Sequence, residues 1–204
     1  MNTFLRIALL MAAVALSNSA HAAKTILIFG DSLSAGYGIA RDDSWGNLLQ
    51  TSLKVSHPQY EVVNASISGE TTSGGVRRIG KALQEHRPAI VIVELGANDA
   101  LRGTPLTDTD KNLNNIIAQA KKARAKILLL GIQIPPNYGL NYTKRFSALY
   151  PKLAKKHKVS LVGFMLKDIP PEQFQADNLH PNAVAQPQIL KNVLPHLTPL
   201  LSAK

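Results

Sequence analysis

The chain has 204 residues, with 23 Lys and Arg against 13 Asp and Glu, and no cysteine. The lack of cysteine excludes thiol catalysis, Cys-ligated zinc and any dependence on disulfides. A net charge of +10 suits nucleic acid or an anionic membrane. No nucleic-acid motif accompanies it, however. Much of it (Lys121, Lys122, Arg124, Lys152, Lys155, Lys156, Lys158) falls on the polar faces of expected helices. A solvated face is the default reading, no nucleic-acid partner is expected, and transient contact with an anionic membrane stays open.

In chain order, Arg6 precedes the apolar run Ile7 to Leu16, and Ala20-His21-Ala22 follows as a small-residue cleavage site. This pattern predicts an export signal over residues 1–22, removed before Ala23. The run is short of the ~20 apolar residues that span a bilayer, and a retained amphipathic anchor is the competing reading. Residues 23–204 then form one domain of ordinary size, with only Arg6 subtracted from the charge.

Lys24 to Phe29 reads as a strand and Trp45 to Val55 as a helix. Tyr60 to Ile67 is strand-like, and a helix is expected around Val76 to His86. Ala89 to Leu95 is the most β-branched run and predicts a central strand. Leu113, Ile116, Ile117 and Ala120 share one helical face. A strand follows over Lys126 to Ile132. Phe146, Leu149, Tyr150 and Leu153 repeat the helical spacing, with Pro151 expected to kink or interrupt it. Val159 to Phe164 is a fifth strand, and a last helix turns Ile189, Leu190, Val193, Leu194 and Leu197 inward. Apolar strands alternating with helices predict an α/β fold, a three-layer α/β/α sandwich around a five-stranded parallel sheet. Ligands bind outside the carboxyl ends of such strands.

Those ends carry Gly30-Asp31-Ser32-Leu33-Ser34, Ser66-Ile67-Ser68-Gly69-Glu70, Gly96-Ala97-Asn98-Asp99 and, beyond the fifth, Asp177-Asn178-Leu179-His180-Pro181. Singly, each has a plain explanation: Ser32 as a helix cap, Gly69 and Asn98 as turn residues, His180 in a surface turn. Together they supply acyl transfer. Ser32 is the candidate nucleophile, His180 the base and Asp177 the group that orients the imidazole. The N–H groups of Ser32 and Gly69 and the Asn98 amide are candidate oxyanion donors.

GDSLS, GxND and DxxHP, in this order with Gly69 in the second block, resemble the SGNH/GDSL hydrolases over nearly all of residues 23–204. The resemblance implies a flavodoxin-like SGNH fold and the family roles for Ser32, Gly69, Asn98, Asp177 and His180. It implies hydrolysis of aryl esters, lysophospholipids and acyl-CoA without a cofactor, by a periplasmic monomer. It also implies that Ala100 to Gly103 is a mobile loop beside Asn98, that Pro135 to Gly139 forms another wall of the acyl groove, and that Leu101, Arg102, Pro136 and Tyr138 contact the substrate there. Rigid turns are the alternative for both segments.

Other motifs fail. Position 34 is Ser where an α/β-hydrolase elbow needs Gly. Gly75 to Ala82 nearly matches a phosphate loop but has Ala in place of the Mg²⁺-binding hydroxyl, so Arg77, Arg78 and Lys81 read as solvated helix charges. No histidine and carboxylate grouping has catalytic zinc spacing, and His57, His86, His157 and His196 read as inert. Asp31 is expected to fix its turn. Glu94, ending an apolar strand, needs a partner, for which Arg102 is a candidate. The competing functions are a carbohydrate O-deacetylase of the same fold and an exported lipid- or glycan-binding module without turnover.

Overall fold

The computed structural model describes residues 23–201, so the export signal expected over 1–22 lies outside the described residues. Strands β1 (Lys24–Gly30), β2 (Tyr60–Asn64), β3 (Ile90–Glu94), β4 (Lys126–Leu130) and β5 (Ser160–Val162) pair in parallel in the order β2-β1-β3-β4-β5. The helices are α1 (Ser32–Ala35), α2 (Trp45–Ser56), α3 (Thr72–His86), α4 (Ala97–Leu101), α5 (Leu106–Lys122), α6 (Leu140–Ser147), α7 (Leu149–His157) and α8 (Gln186–Leu197).

Strand side chains alternate between faces, which divides the core in two. Ile26, Ile28, Ile90, Ile92 and Leu128 pack with α2 and α8 through Trp45, Leu49, Leu53, Ile189 and Val193. Leu27, Phe29, Val91, Val93 and Leu129 face α3, α5 and α7 through Ile79, Leu113, Ile116, Tyr150 and Leu153. Because both faces are covered, the strands are nearly all apolar, as the sequence indicated. Leu190 and Leu194 flank the α8 seam and are only partly buried.

Several boundaries differ from expectation: α3 starts at Thr72 rather than near Val76, β3, β4 and β5 are each shorter than the apolar runs that mark them, and two further differences have local causes. Strand β2 ends at Asn64 rather than Ile67, where the Asn64 side chain accepts from Ser66 N–H at 3.1 Å and turns the chain locally. The chain still tracks β1 beyond that point: Ala65 N–H donates to Ile28 O at 2.9 Å and Ile67 N–H to Gly30 O at 3.0 Å. The helix break falls at Ala148, three residues before Pro151. Pro151 sits in the first turn of α7, where a missing N–H removes no intrahelical bond.

Gly131, just past β4, donates to Val162 O at 2.7 Å, and a Cβ placed on it would lie 2.8 Å from that same oxygen. Gly131→Ala should force β5 outward and destabilise the protein by ~1–3 kcal/mol. The measurement is a urea midpoint at unchanged slope, and an unshifted midpoint would mean that β5 yields without strain.

Candidate active site

The four blocks converge at the carboxyl edge of the sheet. β1 ends at Gly30, and Asp31 caps the one-turn helix α1 by accepting from Leu33 N–H at 3.1 Å with Oδ1. Ser32 is therefore the first residue of a helix, with its side chain at the strand-to-helix turn. The turn closes at Gly36, whose φ of 76° suits glycine.

His180 reaches Ser32 from the other end of the chain. Its Nε2 lies 2.8 Å from Ser32 Oγ, and its Nδ1 lies 2.6 Å from Asp177 Oδ2. A proton on Nδ1, donated to Asp177, leaves Nε2 free to accept the serine proton. Asp177 is fixed in turn by Leu179 N–H at 2.9 Å and His180 N–H at 3.0 Å, both donating to Oδ1. Partial burial pulls its pKa upward, but the hydrogen bonds from His180 and Leu179 prevail and hold it at about 2. The whole turn is tied down by Gln175, which donates from its backbone to His180 O at 2.8 Å and from its side chain to Tyr37 O at 2.7 Å. Tyr37 lays its ring 4.6 Å from the imidazole. Sequence reasoning missed Tyr37. Its signal was an aromatic residue between two glycines, Gly36 and Gly38, both at positive φ.

Opposite the imidazole stand the donors. Among the described residues, the backbone N–H groups of Ser32 and Gly69 have no protein acceptor. Gly69, at φ 77°, presents its amide in a conformation that side chains resist. The Asn98 amide donates to Glu70 O at 3.0 Å and to Asp31 Oδ2 at 3.2 Å. Asp99 holds Asn98 in place by accepting from Thr72 N–H at 2.8 Å at the start of α3.

Two charged residues take places the sequence did not indicate. Arg78, expected in solvent, turns inward over the Phe29 ring at 3.8 Å. It donates to Glu70 Oε2 at 2.7 Å, Ala65 O at 2.7 Å and Gly30 O at 3.3 Å, tying together the ends of β1 and β2 and the Gly69–Glu70 turn. Glu94 does not pair with Arg102, whose guanidinium donates to Gly69 O at 3.0 Å. Fully buried beside Gly30, Glu94 accepts from Asp31 N–H at 3.2 Å. Burial, reinforced by the Asp31 charge, pushes the Glu94 pKa well above the usual carboxylate range. Burial also raises Asp31 to about 6, against the hydrogen bonds that favour its charged form. Two neighbouring buried carboxyls resist joint ionisation, and Glu94, the more strongly raised, is the one that favours its protonated form.

Beside Ser32 lies a cleft of about 80 Å³, walled by Leu33, Leu101, Ile132, Ile134, Pro135 and Leu179. Leu101 and Pro135, from the two segments expected to form the groove, line it; Arg102, Pro136 and Tyr138 do not. Arg102 is engaged at Gly69, while Pro136 and Tyr138 form a short turn beyond the wall. Ala100 and Leu101 end α4, and Arg102 and Gly103 form the turn after it, followed by Thr104 N–H donating to Asp99 O at 2.9 Å. A larger cavity, about 590 Å³ and lined by Arg41, Asn47, Gln50 and Asn64, lies behind α1 and includes no member of the Ser32–His180–Asp177 relay. We locate the chemistry in the small cleft because the polar relay opens there.

Residues 28–186 match the model of the GDSL-like lipase/acylhydrolase family. The chain belongs to that family. Esterase TesA of Pseudomonas aeruginosa is 46% identical over 182 residues, covering 88% of this chain and 90% of the relative. The thioesterase 1/protease 1/lysophospholipase L1 of Escherichia coli K12 is 43% identical over 191 residues, covering 93% and 90%. A crystal structure of TesA superposes with a TM-score of 0.85 at 45% identity, covering 87% of this chain and 100% of that one. GDSL-family membership makes this chain a carboxylic ester hydrolase with the SGNH fold.

The raised pKa values of Asp31 and Glu94 have a thermodynamic consequence. Both carboxyls bind protons more tightly folded than unfolded, so their contribution to stability falls as pH rises from 3.8 through about 6 and beyond. Asp177 acts in the opposite sense and in a separate window: its contribution is lost as pH falls from 3.8 toward about 2. Glu94→Gln should therefore flatten the decline in melting temperature from about pH 5 to about pH 8. A slope identical to that of the parent would mean that Glu94 is ionised in the fold.

Proposed function

We propose that the protein hydrolyses acyl esters and thioesters through an acyl-serine intermediate. The observation that carries this reading is the continuous relay from Ser32 Oγ to His180 Nε2 at 2.8 Å and from His180 Nδ1 to Asp177 at 2.6 Å. Ser32 attacks the carbonyl carbon while His180 takes its proton, and Asp177 stabilises the imidazolium that forms. The carbonyl oxygen becomes an oxyanion facing the unpaired N–H groups of Ser32 and Gly69 and one N–H of Asn98, drawn from its resting acceptors. His180 returns the proton to the departing alcohol or thiol, then activates water to release the acid.

The apolar walls of the cleft suit the acyl chain rather than the leaving group. Its volume, roughly that of three waters, accommodates a short chain, and a longer one extends over Ile134 and Pro135 toward solvent. Lysophospholipids and acyl thioesters enter in that extended mode. We also propose a periplasmic setting. Expressed with residues 1–22 in a Gram-negative host, the activity should leave the cells on osmotic shock. Expressed from Ala23, it should stay.

Ser32→Ala and His180→Ala should each reduce ester hydrolysis by at least ~10³-fold with the fold intact, and Asp177→Ala should reduce it less. Appreciable turnover by Ser32→Ala would overturn the assignment. Asn98→Ala should lower kcat by ~10²–10³ with little change in KM. A fluorophosphonate should label Ser32 in the parent chain, and absence of labelling would favour a binding module. A series of p-nitrophenyl esters from acetate upward reads the acyl preference. Activity confined to acetate would favour an O-deacetylase.

A further inference from the structure

Positive charge is distributed along this chain in a way that the cleft does not explain. Between Asp110 and Asp168 there is no carboxylate, yet twelve Lys and Arg fall in that interval. The rest of the chain sets eleven cations against all 13 acids. The net charge of the protein therefore arises from one segment.

That segment folds as most of α5, then β4, α6, α7 and β5, at one side of the sheet. Seven of its cations gather where α5 and α7 end and β4 begins: Lys121, Lys122, Arg124, Lys126, Lys155, Lys156 and Lys158, all exposed. The two helix ends are in contact, with Lys121 Nζ donating to His157 O at 2.8 Å. Among the described residues, the ion pairs are Arg78–Glu70, Lys152–Asp110 and His180–Asp177, so none of these seven meets a carboxylate.

Complementing helix dipoles accounts for cations in the last turns of α5 and α7. It does not account for the residues just beyond those turns. Arg87, Arg124 and Lys158 stand after α3, α5 and α7, each at positive φ (40°, 63° and 55°). Glycine fills such positions without the strain of roughly 1 kcal/mol that a side chain incurs. In every helix-to-strand turn of this layer, a long cation occupies the strained site and stands outward.

Helices run antiparallel to the strands they follow, so their C-terminal ends lie at the sheet edge opposite the strand carboxyl ends. The basic base is thus at the far end of the molecule from Ser32 and His180. We propose that this base docks on an anionic phospholipid bilayer and that the docked protein turns its catalytic cleft away from the membrane, into water. Six of the seven cations are lysines, flexible point charges suited to the diffuse field of a lipid surface rather than to bidentate recognition. No Phe, Tyr or Trp lies among them to stack on a nucleic acid. The inference is independent of the roles assigned to the catalytic residues.

The test is co-sedimentation of the purified protein with vesicles of phosphatidylcholine alone or of equimolar phosphatidylcholine and phosphatidylglycerol. Binding is expected only to the second. It should vanish with salt, as the screening length contracts from ~30 Å at 0.01 M to ~3 Å at 1 M. A variant carrying Lys121→Gln, Lys122→Gln, Lys155→Gln and Lys156→Gln should lose about fivefold in partition per charge, more than ~100-fold in all. Its hydrolysis of p-nitrophenyl acetate should match the parent, which reports an intact fold. Equal binding to both vesicles, or undiminished binding of the variant, would overturn the surface. Capture by soluble dextran sulfate without vesicle binding would overturn the lipid assignment. Saturating anionic vesicles should leave p-nitrophenyl acetate hydrolysis unchanged. Loss of rate in proportion to the bound fraction would mean that the cleft faces the bilayer, and would overturn the orientation.

Discussion

The Asp31 carboxylate accepts from the Leu33 N–H with one oxygen and from the Asn98 amide with the other, while the Asp31 backbone N–H donates to Glu94. Through this one residue, the turn that carries Ser32 is joined to the end of β3 and to the start of α4. Its full burial makes the arrangement stringent, because a carboxylate withdrawn from water must have its lone pairs occupied. A neutral Glu94 beside it lowers the repulsion that two buried charges would create. Side chains on β1, β3 and α4 thus share one electrostatic problem and one solution. The distance between Ser32 and Asn98 is set by that solution rather than by either loop alone.

Arg78 performs a similar service one layer out. Its guanidinium lies over Phe29 and donates to the carbonyls of Gly30 and Ala65 and to the Glu70 carboxylate. These carbonyls lie at and just beyond the ends of β1 and β2, and a planar fork bridges them where an ammonium could not. Arg102, donating to Gly69 O, completes the cradle from the α4 side. The Gly69–Glu70 turn is thus held by two arginines, Arg78 of α3 and Arg102 just after α4.

The strands, both helical layers and the four strand-end blocks were legible in the sequence, because each rests on a short contiguous pattern: apolar runs, periodic faces, or Gly, Ser, Asn and His at fixed offsets. What escaped depends on register. Asp31 and Glu94 are neighbours only because β1 and β3 pair Gly30 with Glu94. Arg78 looks like any polar-face helix residue, since its acceptors lie on three separate segments. The cleft wall was read only in part: Pro135 belongs to the expected wall, but Ile132 ends an apolar run that reads as strand and Ile134 lies in the gap between that run and the wall. Pro151 was legible as a disturbance but not in its position, because a proline in a first helical turn disturbs nothing.

Ser32 and His180 are 148 residues apart in sequence, and the segment that carries His180 has almost no regular structure of its own. It is held by Gln175, by the single bridge between Phe174 and Pro181, and by the Tyr37 ring. Strands β1 to β4 and the nucleophile's turn come from residues 24–130, whereas β5, the His180 segment and α8 follow at residues 160–197, so completing the site closes long loops and carries a large loop-closure entropy. A chain emerging from synthesis thus carries an unactivated serine until the His180 segment docks, with no base to take its proton. Hydrolytic competence arrives with the last segment to dock, and the timing of activation is written into the topology.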